Sequence, residues 1–403
     1  MPLPPLPLTI EVWRRLNNIM RRHAIPLLVN LSVVLVVPTG LLLGQDPQSN
    51  AAFAVLTTYQ YDLEKDGKQF LLDEAKNNDF FMLGELHGEK EIPALLRLLW
   101  PEMWKDGYGH IAAEVSPWAA HQLESVPVGK GPAVHSLWTK QEVEDVRALA
   151  NPDTEVLWGC DMDELQPQLL IQELRSLNPS NRNLNHMTAL TADGYRRELA
   201  PALFNLAREI TGIRDEVLND ISLRRNLLAT LEIESNRFTP NTKMAAQNER
   251  ELLMKRQLLE HLDRSAASGT HSKVLLRFGR NHLHRGYDER GISTLGNFVA
   301  ELAIARGQRV FNVGAFAAGG KVTIGGKDLD ADECQDEPAF ALLAEKARYS
   351  STIYDLRPLR PLLHRIPQEK RSPLQTNLTF WADAYDALIC YKSVTPNSVA
   401  LPK

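Results

Sequence analysis

Six short apolar runs set the strongest limit on how this chain can fold. They are Phe80–Leu83, His110–Val115, Glu155–Cys160, Lys273–Phe278, Arg309–Val313 and Ala387–Tyr391. Each is bounded by turn residues or amphipathic stretches, and each is apolar nearly throughout rather than alternating. That is the pattern of strands covered on both faces. Between the first two runs, Ile92–Trp104 carries Leu95, Leu98, Leu99 and Met103 at helical spacing. Between the fourth and fifth, Thr294–Arg306 carries Leu295, Phe298, Val299 and Leu302. Strands alternating with helices of this length predict an α/β fold, with a mainly parallel central sheet covered by helices on both faces.

One region breaks the alternation. Residues 165–270 are rich in Leu, Arg, Glu and Asn and read as a helical insertion, with helices expected over Thr191–Ile210, Glu216–Glu234 and Thr242–Leu262. The organisation expected is residues 1–52 as a leader and linker, 53–395 as one α/β domain containing that insertion, and 396–403 as a loose tail. No internal repeat is visible.

The leader has Arg14, Arg15, Arg21 and Arg22 ahead of an apolar run from Ala24 to Gly44, and Gln45 onward is polar. A basic region before an apolar core reads as an export signal, with an uncleaved membrane anchor as the alternative. Pro26, Asn30, Pro38 and Gly40 interrupt the run and weaken it as a permanent span. The protein is therefore expected outside the cytoplasm, periplasmic or secreted, touching a membrane only through this segment. A start at Met20 would give a more typical signal. Sequencing the N-terminus of the unprocessed precursor tests this, since a peptide containing Trp13 would exclude it.

The formal charge of −5 and the absence of a Lys/Arg run give no reason to expect nucleic acid. Cys160, Cys334 and Cys390 are too far apart for a CxxC motif. Cys160 and Cys390 lie in apolar runs, and a disulfide between them is compatible with an oxidising compartment. There is no G-x-S-x-G elbow, P-loop, GxGxxG after a strand, or HExxH, which disfavours a serine hydrolase, a nucleotide-binding enzyme and a standard zincin. The glycine-rich GAFAAGG at Gly314–Gly320 reads as a loop.

The polar residues that remain are not scattered. Four of the runs hand over at their C-terminal ends to turns carrying ionisable or polar groups: Glu85 and His87, then Glu114, then Asp161 and Asp163, then Asn281, His282 and His284. In open parallel sheets ligands bind outside the carboxyl ends of the strands, so the fold would gather these groups on one edge. Glu85 and His87 are two apart, and a carboxylate beside an imidazole raises its basicity, as a general base requires. An exposed polar loop is the plainer alternative. Glu114 would need a partner or a cavity, because a lone buried carboxylate is costly. His282 is placed to stabilise an oxyanion or to act as the acid. His282 and His284 with nearby carboxylates could also bind a metal, though His284 reads as the more peripheral. Asp161 is either a helix cap or part of the site. Arg250, Met254 and Gln257 share one helix face, so Arg250 is either a substrate clamp or a solvated arginine. Arg280 and Arg285 could bind a carboxylate or phosphate, with surface solvation as the plainer reading of each.

These motifs resemble the superfamily uniting erythromycin esterases, ChaN-like haem-binding lipoproteins and Tiki/TraB-type proteins. LGELHG resembles the first-strand motif, AAEVSPW the second-strand glutamate, LWGCDMDE the strand ending in G-x-D, NERELLMKRQ the helical arginine segment, FGRNHLHRG the late histidine motif, and DALICY the final strand. The likeness spans about residues 70 to 395. GELHG is one residue shorter between Glu85 and the histidine than the esterase form and is closer to the ChaN-like and Tiki-like pattern. The resemblance implies three activities. One is hydrolysis of an ester or similar acyl bond of a small molecule by activated water, without a cofactor. The others are haem binding and metal-dependent proteolysis. On the first, Glu85, His87, Glu114 and His282 would be catalytic, and Asp161, Arg250 and His284 would bind substrate.

Overall fold

The computed structural model describes residues 47–397, apart from 129, 131–136, 164–166, 192–199, 211–220, 240, 270–271 and 325. The sheet strands are β1 (Gln60–Asp62), β2 (Phe80–Glu85), β3 (Tyr108–Ala113), β4 (Leu157–Gly159), β5 (Lys273–Gly279), β6 (Val310–Ala317), β9 (Ser351–Asp355) and β10 (Ala387–Tyr391). They form one eight-stranded sheet in the order β1-β9-β10-β6-β2-β5-β3-β4. The run from β10 to β4 is parallel throughout. Only β9 runs the other way, antiparallel to both β1 and β10. Every residue of β2 and of β10 is buried. Alternate side chains point to opposite faces, so both faces must be covered. The α/β architecture expected from the apolar runs is the one observed.

Helices close the crossovers by the same apolar spacing that betrays them in sequence. Glu91–Lys105 buries Ile92, Leu95, Leu96, Leu99 and Met103. Leu295–Ala305 buries Leu295, Val299 and Ala303, and the Thr294 hydroxyl accepts from Asn297 N at its N-terminus. Helix Pro117–Ser125 starts directly after β3. Its Ser116 hydroxyl accepts from Ala119 N, and Pro117 sits where no backbone donor is needed. The inserted region is helical where described: Pro167–Leu177, Arg182–Thr191, Ala200–Glu209, Ile221–Arg237 and Lys243–Ala267. The helix expected over Thr191–Ile210 is thus two helices whose connection lies outside the described residues, and the start of the one expected from Glu216 lies outside them as well.

Four expectations are corrected. GAFAAGG is no loop at its start: β6 continues through Ala317, because Gly314 and Ala315 pair with Leu388 and Ile389 of β10. The edge strand β1, its neighbour β9, and the hairpin β7 (Lys321–Ile324) with β8 (Lys327–Asp330) lie outside the six apolar runs, and β8 is wholly exposed, with no apolar run to announce it. Cys160 and Cys390 are free. Their strands are five steps apart in the sheet, about 24 Å at the usual spacing, far beyond disulfide reach. The tail expected to be loose from 396 is tied at its start: Asn397 N donates to Gly88 O (2.8 Å), just after Lys90 N donates to Thr395 O (2.9 Å) and Lys321 N to Val394 O (3.0 Å), and residues 398–403 lie outside the described residues. No helix among the described residues is long and apolar enough to cross a membrane, and the run from Ala24 to Gly44 lies outside them.

Candidate active site

Strand register levels the C-terminal ends. Glu85 of β2 pairs with Gly279 of β5, and Ala113 of β3 pairs with Arg277 of β5 and Gly159 of β4. The turns that follow therefore meet, although they are up to two hundred residues apart in sequence. Glycine at 279 permits the meeting. A Cβ there would lie 2.6 Å from His87 Nε2 and 3.1 Å from Glu114 Oε2, so any side chain would push the imidazole and the carboxylate off the end of β5.

His87 is held between two carboxylates. Its Nδ1 faces Glu85 Oε1 at 3.2 Å and its Nε2 faces Glu114 Oε2 at 3.5 Å. Glu114 is the hub of the cluster. Its Oε1 accepts from Arg250 Nη2 at 2.8 Å and lies 3.3 Å from His282 Nε2. Its Oε2 accepts from Gly279 N at 2.6 Å. Arg250 Nε donates to Asp161 Oδ1 at 3.0 Å, and Nη2 donates to Asp161 Oδ2. His282 Nδ1 bonds Glu251 Oε1, and Glu251 Oε2 accepts from Leu295 N at 2.8 Å. Below Glu85, Arg277 Nε donates to its Oε2 at 2.5 Å while Nη1 reaches Glu142 Oε1 at 3.2 Å. The Arg277 guanidinium lies 4.2 Å from the Trp138 ring centroid.

The cluster is dry except at one point. The side chains of Glu85, Glu114, Asp161, Arg250 and His282 are all less than a tenth exposed, whereas 30% of the His87 side chain reaches solvent. Burial alone would lower the His87 pKa, but Glu114 and Glu85 outweigh it and hold it up at about 9. The same contest, won by Glu114 and Glu251, puts His282 at about 10. Burial works to raise Glu114, yet His282, His87 and Arg250 keep it well below the usual carboxylate range. Glu85 is likewise lowered against its burial, by Arg277 and His87. At neutral pH both imidazoles are thus cations facing carboxylate anions.

Six of the seven residues expected at the site are joined by these contacts: Glu85, His87, Glu114, Asp161, Arg250 and His282. Arg250 is not solvated, because the Asp161–Glu114 pair draws it inside. His284 packs elsewhere, among Phe380, Trp381 and Tyr385 with ring centroids 5.1, 5.1 and 5.5 Å away. Asp163 turns to the insertion, where its N–H meets Thr230 and Asn226 donates to its carboxylate at 3.3 Å. Arg280 and Arg285 are not solvated either. Arg280 donates to Ala315 O and Glu333 Oε1, each at 2.6 Å, and lies over Phe340 and Trp381. Arg285 pairs with Asp386.

Sequence reasoning missed four members. Arg277 is the lone charge inside the apolar run KVLLRF, a signal that it needs a buried partner. Glu142 forms a capping box with Thr139, legible as T-x-x-E, but its second task on Arg277 is not. Glu251 follows Arg250 in the helix. Glu89 is 3% exposed and its Oε2 has no hydrogen-bond partner among the described residues. Burial and the Glu85 charge raise its pKa to about 8.

The donor set does not suit a divalent cation. Each Glu114 oxygen already faces a donor, Arg277 takes Glu85, and among the described residues no three His, Cys, Asp or Glu side chains form a metal-holding group. Both nitrogens of His87 and of His282 face carboxylates, leaving neither turned toward a haem iron.

No protein-family model matches the sequence, and no curated protein does. Solved structures do match the fold. A mutant of erythromycin esterase EreC in its open conformation aligns with 86% of this chain and 98% of its own, at a TM-score of 0.55 and 14% identity. The chain has the erythromycin-esterase fold. A succinoglycan biosynthesis protein aligns with 88% of this chain and 99% of its own (TM-score 0.56, 15% identity). A protein from Bacillus cereus aligns over 87% and 98% (TM-score 0.54, 13% identity). At these identities the likeness to the erythromycin-esterase fold is one of architecture, over nearly the whole length of each partner.

Proposed function

We propose that this protein hydrolyses an ester or similar acyl bond of a small molecule, with water activated by His87. The observation that supports this reading is the placement of His87. It alone of the cluster reaches solvent, and both of its nitrogens face buried carboxylates. When Nε2 has lost its proton, it can take one from a water entering beside Glu114. Glu85, anchored by Arg277, holds the ring and favours the imidazolium that forms. The water oxygen adds to the carbonyl carbon, and the carbonyl electrons move to oxygen. His282, held as a cation between Glu114 and Glu251, supplies positive charge that favours the oxyanion; as the oxyanion collapses the acyl C–O bond breaks, and the departing alkoxide takes the proton that His87 removed from water. Arg250 and Asp161, expected to touch substrate, position Glu114 instead, since the guanidinium is already engaged by both carboxylates.

A panel of small aryl and alkyl esters assayed with purified protein tests this reading. A general base contributes ~10²–10⁴-fold, so His87→Ala should lower turnover by about that range. Retention of full activity by His87→Ala would end the proposal. Dialysis against EDTA should leave turnover intact, and loss of activity that zinc restores would make the histidines ligands.

The protein is further proposed to act outside the cytoplasm, on the strength of the basic residues and apolar run at 14–44. Fractionation of expressing cells should place it in the periplasmic, secreted or membrane fraction. Full-length protein wholly in the cytosol would contradict this.

A further inference from the structure

Away from the carboxylate cluster, an open hollow of about 610 Å³ lies between helices Ile221–Arg237 and Lys243–Ala267, with Pro117 also in its lining. Its size falls within the ~300–1,000 Å³ of small-molecule sites. The floor is apolar, made of Leu228, Ala229 and Leu253. At the rim Arg225 and Glu260 neutralise each other at 2.7 Å. Arg256, also lining the hollow, makes no hydrogen bond or ion pair among the described residues. Gln257 adds a different demand: its Oε1 is buried and has no donor among the described residues. A buried acceptor without a protein donor takes its hydrogen bond from an ordered water or from a bound molecule that displaces it. A second hollow of about 260 Å³ shares Pro117, Gln257 and Glu260 with the first, so Gln257 stands where the two join.

The hollow is not part of the cluster already described. Arg250 and Gln257 share a face of one helix, two turns or roughly 10 Å apart. Between them Met254 is fully buried, and Leu253 packs with Met162, Ile233 and Ala246. That apolar packing separates the guanidinium that holds Glu114 from the amide that faces the hollow.

We propose that this hollow binds a small amphipathic molecule with an acidic group and an N–H or O–H donor. The apolar body would cover Leu228, Ala229 and Leu253, the acid would meet Arg256, and the donor would satisfy Gln257 Oε1. Three arginines line the hollow (Arg224, Arg225 and Arg256) against two carboxylates, Glu232 and Glu260, which favours an acid over a base. The site does not depend on the hydrolase reading.

The probe for a test is 1-anilinonaphthalene-8-sulfonate, which has aromatic rings, a sulfonate and an aniline N–H. Fluorescence titration of the folded full-length chain should give one saturable site. Arg256→Glu reverses an exposed charge and Gln257→Leu removes the acceptor; each should weaken binding about tenfold or more while the thermal midpoint holds. His87→Ala should leave probe affinity unchanged. Non-saturable binding, several sites per chain, or wild-type affinity in either variant would overturn the proposal. A parallel arm uses phosphatidylglycerol vesicles. No cosedimentation is expected, and cosedimentation lost in Arg256→Glu would overturn the small-molecule site in favour of a membrane surface.

Discussion

His282 and His284 are two residues apart and end up in opposite surroundings. His282 sits between Glu114 and Glu251, and its pKa stands at about 10. His284 is 1% exposed among Phe380, Trp381 and Tyr385, and neither ring nitrogen has a hydrogen-bond partner among the described residues. Burial, helped by Arg280, drives its pKa down to about 4. Both imidazoles are desolvated, so burial alone does not set the outcome. Where carboxylates approach within hydrogen-bond distance the cation wins, and where aromatic rings surround the group the neutral form wins. The comparison teaches that only one of the two histidines of the late motif is equipped to carry charge at the strand edge.

The largest effects expected are on the charged side of this comparison. Glu114→Gln keeps the shape of the hub but loses its charge. Once an ester substrate is in hand, it should lower turnover by the ~10²–10⁴-fold range expected of His87→Ala, whereas His284→Phe should stay close to wild type. Equal losses in Glu114→Gln and His284→Phe would erase the distinction. Next comes stability. Arg250→Met removes the buried guanidinium that both Asp161 and Glu114 face and should cost ~3–5 kcal/mol in urea unfolding. His284→Phe, by removing two buried polar atoms that lack partners, should lie within ~1.5 kcal/mol of wild type. A loss in His284→Phe as large as in Arg250→Met would show that His284 has a partner of its own.

The two histidines should also tilt stability against pH in opposite directions. The folded pKa of His282 is raised, so its stabilisation is complete below its ordinary pKa of 6.5 and fades as pH climbs through about 10. The folded pKa of His284 is depressed, so its contribution is present above 6.5 and fades as pH falls through about 4. NMR titration of the two imidazoles checks both signs: at pH 7 His282 should be protonated and His284 neutral. The smallest effect is at Glu89. Its raised pKa means stability declines as pH rises from about 4.5 through about 8. Glu89→Gln should leave stability nearly unchanged at pH 4.5 and remove that decline. An unaltered slope would show that Glu89 is ionised and paired.

Much of the candidate site is legible in the chain because strand order carries it. An apolar strand that ends in a polar turn announces itself locally, and parallel strands put such turns on one edge. Glu85, His87, Glu114, Asp161 and His282 are all found this way. Arg277 and Gly279 are visible as oddities, a charge within an apolar strand and a glycine at its end, but their purpose emerges only when β2 and β3 flank β5. β1 is only three residues long and the β7–β8 hairpin is largely exposed, so period and polarity do not mark them.

By itself the sequence determines the layer architecture of this protein and the residues that can reach one edge of the sheet, because alternation of apolar strands and amphipathic helices is a local property. Tertiary structure alone decides which of those residues carry charge. It brings Arg250 and Glu251 from a helix more than a hundred residues beyond Glu114, places His282 among carboxylates and His284 among aromatic rings, and leaves His87 at the solvent. A pKa depends on what lies within a few ångströms in space, and neighbours in sequence do not specify that.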